Sequence, residues 1–127
     1  NRRTDFDWIS RDSAEVDLYI ADKWCGFDVT AGLWCDLSYA FLELERPENV
    51  AKVRADLPVR IMSGGDDPIH DKRKGLDALV RLYQERGFAK LDVEVYEGAR
   101  HELLNETNRD EVTRDLVDWI TSVVTPQ

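Results

Sequence analysis

What this sequence has little of narrows the field first. No apolar run approaches the ~20 residues that cross a bilayer as a helix, so no transmembrane segment is expected. Positive charge is scarce: 17 Lys and Arg stand against 26 Asp and Glu, a formal net charge of -9 over 127 residues. Such a surface repels phosphate backbones and anionic membranes at long range, which argues against nucleic acid as a partner. Cysteine is limited to Cys25 and Cys35, each among apolar and aromatic neighbours and neither in a CxxC or Cys/His cluster. Two buried thiols of a cytoplasmic protein are expected, with a single disulfide or a reactive thiol as the competing assignments. A secretion signal is also lacking, because "NRRTDFDW" opens with charge and no apolar stretch follows it. No initiator Met stands at Asn1, so a native start further upstream is expected.

What is present suffices for one packed interior: 43% of the residues are hydrophobic, and the length fits one domain or part of one. The first third has helical periodicity. Asp12 can cap a helix with Glu15 three positions on, and Val16, Tyr19 and Ile20 then share a face. In "LWCDLSYAFLEL" a stripe of Leu33, Leu37, Phe41 and Leu44 runs beside Trp34. Pro47 suits the first turn of a third helix, "PENVAKV".

From residue 57 the element types alternate. "LPVRIMSGG" reads as a strand ended by two glycines. "KGLDALVRLYQERG" follows as a helix with Leu76, Leu79, Val80 and Tyr83 on one face and Gly87 at the C′ position. In "LDVEVYEG" Leu91, Val93 and Val95 alternate with Asp92 and Glu94, the pattern of a half-exposed or edge strand. Asn108 with Glu111 can cap a last helix, striped by Val112, Leu116, Trp119, Ile120 and Val123 and stopped before Pro126. Two parallel strands and a crossover helix make a poor sheet alone. Either the leading helices cover a minimal sheet, or the chain is the C-terminal portion of a larger α/β domain; the second is favoured.

In open α/β sheets functional groups gather beyond the carboxyl ends of the strands. The first strand here ends in Asp66-Asp67-Pro68 and the second in Gly98-Ala99-Arg100-His101-Glu102. Taken singly, acids in a Gly/Pro loop are turn formers and a lone histidine is a surface or core residue. Taken together, an acid on one strand-end loop and a histidine on the next can make an Asp–His pair in which the carboxylate orients the imidazole.

"LPVRIMSGGDDP" and "VEVYEGARHELLNETNRDEVTRDLVDWI" resemble the last two strands and last helix of α/β-hydrolases of the monoacylglycerol lipase, lysophospholipase and serine aminopeptidase type. The resemblance implies an α/β-hydrolase fold of which residues 1–56 are a helical cap and residues 57–127 the C-terminal β-α-β-α part of the core, the N-terminal half being absent. It assigns the triad acid to Asp67, through the match of Gly64-Gly65-Asp66-Asp67 to a G-x-x-D pattern, and the triad histidine to His101, through G-x-x-H-E. Trp24, Phe27, Trp34 and Phe41 would shape an apolar acyl pocket, although simple packing accounts for them as well. His70, Arg100 and Glu106 stand near enough to line or buttress the site, with surface or packing roles as the plainer assignment.

One departure is decisive for the chemistry. No G-x-S-x-G occurs: the serines at 10, 13, 38, 63 and 122 all lie outside a nucleophile elbow, and no HGxG-like oxyanion loop is present. Family chain order places both upstream of the cap, so a Ser-His-Asp esterase whose serine precedes this chain is expected. It would act on a small acyl ester with no cofactor and no metal, beside the N-terminal half of the same hydrolase, with a homo-oligomer left open. Two other classes remain: a hydrolase-like binding module without a nucleophile, and a small flavodoxin-like unit in which Asp66 and Asp67 serve Mg²⁺.

Overall fold

The computed structural model describes residues 2–125. Its helices begin where the chain supplies caps. The Asp12 carboxylate accepts from the Ala14 N–H at 3.0 Å and opens α1 (Ser13–Ala21). Thr30 does the same for α2 (Ala31–Leu44), accepting from the Leu33 N–H at 3.2 Å. Pro47 starts α3 (Pro47–Val50), which is shorter than its sequence suggested, since residues 51–53 turn away. Then follow β1 (Val59–Gly64), α4 (Lys74–Glu85), β2 (Leu91–Tyr96) and α5 (Arg109–Val124), with single 3-10 turns at Pro68–His70 and Leu103–Asn105 inside the two strand-end loops. Gly87, at φ +80°, terminates α4 as expected of a C′ glycine. The stop assigned to Pro126 lies outside the described residues.

β1 and β2 pair in parallel, in register from Val59 opposite Leu91 to Gly64 opposite Tyr96, with α4 as the crossover between them. Arg60 answers the acids of β2, reaching Asp92 at 2.8 Å and Glu94 at 3.7 Å. A buried cluster reaches the strand ends, where Tyr96, Ala99 and Val112 pack together with Met62 and Leu103 against them. The loops that carry the candidate residues therefore rest on the core.

Several expectations are corrected. Both cysteines are free: Cys25, in the segment between α1 and α2, is only half-buried, and Cys35 is exposed because α2 buries none of its own residues. The stripe of α2 exists but stays largely exposed, and only its end at Phe41 and Leu44 faces Val50, Val53 and Leu82. The expected Asp12–Glu15 capping box is only half made, because Glu15 reaches instead to Arg109 at 2.5 Å, beside Asp12. At the head of α5, Asn108 makes no side-chain cap. Its amide donates to Glu111 at 2.9 Å while its oxygen accepts from Arg11 at 2.8 Å.

Residues 5–8 form a turn where a helical cap was expected. Thr4 and Asp7 supply the reason, since their side chains compete for the local backbone: the Thr4 hydroxyl donates to Asp7 at 2.6 Å and accepts from the Phe6 N–H at 3.2 Å. The Thr4 hydroxyl, followed by backbone N–H donors, holds the Asp7 carboxyl down at about 2 despite opposing desolvation.

Candidate active site

Two loops converge because a glycine lets them. At Gly64 a Cβ would overlap the carbonyl oxygens of Arg100 and Ala99, so only glycine allows the end of β1 this close to the loop after β2. Backbone bonds then tie the loops together: Gly65 N–H donates to Tyr96 O and Asp66 N–H to Ala99 O, both at 2.9 Å. Gly98, at φ +75°, turns the second loop back over the first.

This convergence brings Asp67 to His101. One carboxylate oxygen of Asp67 accepts from the Ile69 N–H at 2.9 Å, and the other lies 2.9 Å from His101 Nδ1. The first bond fixes the carboxylate plane; the second fixes the ring. An ionised carboxylate only accepts, so Nδ1 carries the proton of the neutral ring and the Nε2 lone pair is left available. Nε2 has no hydrogen-bond partner among the described residues. The His101 side chain is 41% exposed, whereas that of Asp67 is 11% exposed. The geometry is a sheltered acid behind an accessible base.

Asp66 does not share this role. It is exposed and faces a cavity of about 540 Å³ lined with Arg2, Asp7, Trp8, Pro68 and Arg100. The backbone of Asp67 is extended, at φ -67° and ψ 117°, as the following proline demands, and this turns the neighbouring carboxylates apart.

His70 buttresses the loop. Its Nδ1 accepts from the Arg73 N–H at 2.9 Å, so Nε2 carries the proton and donates to Gly64 O at 2.7 Å. It closes a run of three left-handed residues, Asp71, Lys72 and Arg73, that no sequence pattern announced. Arg100 turns its guanidinium away from the pair, donating to Ser10 O at 2.9 Å and to Asp7 O. Glu106 is fully buried and binds the loop of His101 to Arg11. The sequence singles out Glu106 but carries no local signal for Trp8, Ser10 and Arg11, which lie 90 or more positions from their partners. The Trp8 indole tilts against the His101 ring, with centroids 5.1 Å apart. Trp24, Phe27, Trp34 and Phe41 are all exposed and are not among the walls of the cavity beside Asp66. Phe41 instead edges an apolar groove with Val50, Val53 and Leu82.

A parallel β-α-β-α unit preceded by helices, with an acid after one strand and a histidine after the next, defines the C-terminal portion of an α/β-hydrolase. The model of the family described as serine aminopeptidase, S33, matches residues 1–108, and the chain belongs to that family. Among solved structures it is similar to a highly thermostable carboxyl esterase from Bacillus coagulans, in complex with glycerol, at a TM-score of 0.82 and 25% identity. The match covers 98% of this chain and 41% of the esterase, so the chain spans less than half of that protein's length. No curated protein matches the sequence.

Proposed function

We propose that this chain supplies the acid and the base of a Ser-His-Asp triad, and that the intact protein is a serine hydrolase of carboxylic esters, of the monoacylglycerol or lysophospholipid kind. The carrying observation is the 2.9 Å contact between Asp67 and His101 Nδ1, with Nε2 left accessible. In this reading a serine outside the 127 residues attacks the ester carbonyl while His101 Nε2 takes its proton. His101 then protonates the leaving alcohol, and water completes the cycle to acid and free serine. Asp67 holds the ring in the tautomer this requires. The likeness to a carboxyl esterase supports ester rather than amide substrates.

Residues 1–56 form the cap side and residues 57–127 the core side of the unit. The exposed faces of Trp24, Phe27, Trp34 and Phe41 would then turn toward the acyl chain or toward the remainder of the hydrolase. Labelling with a fluorophosphonate tests this reading. The full-length protein should label at one serine, with His101→Ala suppressing the reaction, while the 127-residue chain alone should not label. Stoichiometric labelling of a serine within this chain, or an unlabelled full-length protein, contradicts it.

A further inference from the structure

Glu106 lies outside the acid–base pair, yet it is the fully buried charge nearest to it in sequence. Its oxygens take four donors. One accepts from the Arg100 N–H at 2.8 Å and the Arg11 N–H at 3.0 Å; the other accepts from Arg11 Nε at 2.7 Å and the Thr107 N–H at 3.0 Å. Burial alone pushes its carboxyl up, but these donors outweigh burial and hold it below its ordinary value. Three of the four donors are backbone amides, so the carboxylate fixes chain position as well as balancing the charge of Arg11.

The segment that Glu106 secures is the bed of His101. Ile9 O accepts from the Glu102 N–H at 2.8 Å, Ser10 O from Arg100 Nη1 at 2.9 Å, and Trp8 O from the His101 N–H at 3.4 Å. The bond of His101 itself is the longest of these. Its register therefore depends on its neighbours, Arg100 and Glu102, and on Trp8 behind the ring.

We propose that Glu106 is a positioning residue for His101: clamped to Arg11, its carboxylate sets the loop after β2 on residues 8–11 so that the imidazole meets Asp67. This rests on the triad reading and adds to it a residue that touches no substrate. Glu106→Gln preserves volume but turns an NH₂ toward two N–H donors, which breaks half the clamp without opening a cavity.

The test uses the full-length protein, with two readouts. The first is the low-field NMR resonance of the His101 Nδ1 proton, identified by its loss in Asp67→Asn. The second is kcat and KM on a short-chain ester, expressed per serine titrated with a fluorophosphonate. Glu106→Gln should weaken or broaden the resonance and lower kcat per titrated site by about 10²-fold, the scale of a small misplacement of a catalytic group. KM should stay within about twofold, because no substrate contact is removed. Glu106→Asp, which keeps the charge, should restore part of the loss. Should Glu106→Gln not fold, Arg11→Lys carries the same comparison, because it keeps the charge but loses the Nε donor. An unchanged resonance and unchanged kcat per titrated site in a folded variant would reduce Glu106 to a stability role and overturn the proposal. A wild-type protein in which no serine is titrated defeats the hydrolase reading instead, while the resonance comparison still decides the role of Glu106.

Discussion

A single hydrogen atom on Gly64 is what permits the site. Replacing it sets a methyl group against the backbone carbonyls of Arg100 and Ala99, which no rotamer change can relieve. Gly87 makes the useful comparison: its φ is +80°, but nothing lies within 4 Å of a Cβ there. Gly87→Ala should cost only the left-handed strain, roughly 1–2 kcal/mol. Gly64→Ala should cost about 3 kcal/mol or more, since overpacking against fixed backbone forces the two loops apart. Urea unfolding of the full-length protein gives both values, and equal losses would show that the loops are not in contact. At this scale the sequence was informative where chemistry is local. The family resemblance pointed to Asp67 rather than Asp66, and Pro68, which restricts only its immediate predecessor, agrees with that direction; His101 stood in a glycine-marked loop. The clamp was not legible, because Arg11 and Glu106 are 95 positions apart and neither lies in a pattern that names the other.

The elements were legible in kind and less so in what they face. Apolar period placed α4, α5, β1 and β2, with glycines marking the end of β1 and of α4. The surroundings of α2 could not be read, because an amphipathic stripe says that a helix wants a partner without saying whether the chain contains one. The capping box of α1 failed for a related reason: Glu15 had a better partner in Arg109, which arrives from the far end of the chain. A pH effect follows from the contact between β2 and α5. Burial, then the Asp115 carboxylate that accepts from its hydroxyl at 3.0 Å, pushes Tyr96 up to about 12 from 10.0. A raised folded value stabilises the protein fully below the unfolded value, and that contribution is lost as pH rises from about 10 toward 12. Absorbance titration near 295 nm should therefore show one late tyrosine, and Tyr96→Phe should remove it. A late component that survives in Tyr96→Phe would refute the assignment.

For the whole molecule, the two-stranded sheet and the exposed aromatics of the leading helices fit a chain that covers 41% of the esterase it matches. No described helix is long and apolar enough to cross a membrane. The part contained here brings together an acid and a base from two strand-end loops, and the central claim is that their pairing serves catalysis in the intact protein. The most direct measurement is kcat/KM on a short-chain ester for Asp67→Asn, Asp66→Asn and His101→Ala of the full-length protein, with circular dichroism to establish folding. Asp66 and Asp67 are adjacent in one loop, so a difference between them reports direction rather than charge. Asp67→Asn should lose roughly 10⁴-fold through the wrong imidazole tautomer, and His101→Ala about 10⁶-fold through loss of the base. Asp66→Asn should remain close to wild type. If Asp66→Asn is the crippled variant, or if neither aspartate variant loses more than about tenfold, the pairing of Asp67 with His101 is not the catalytic one.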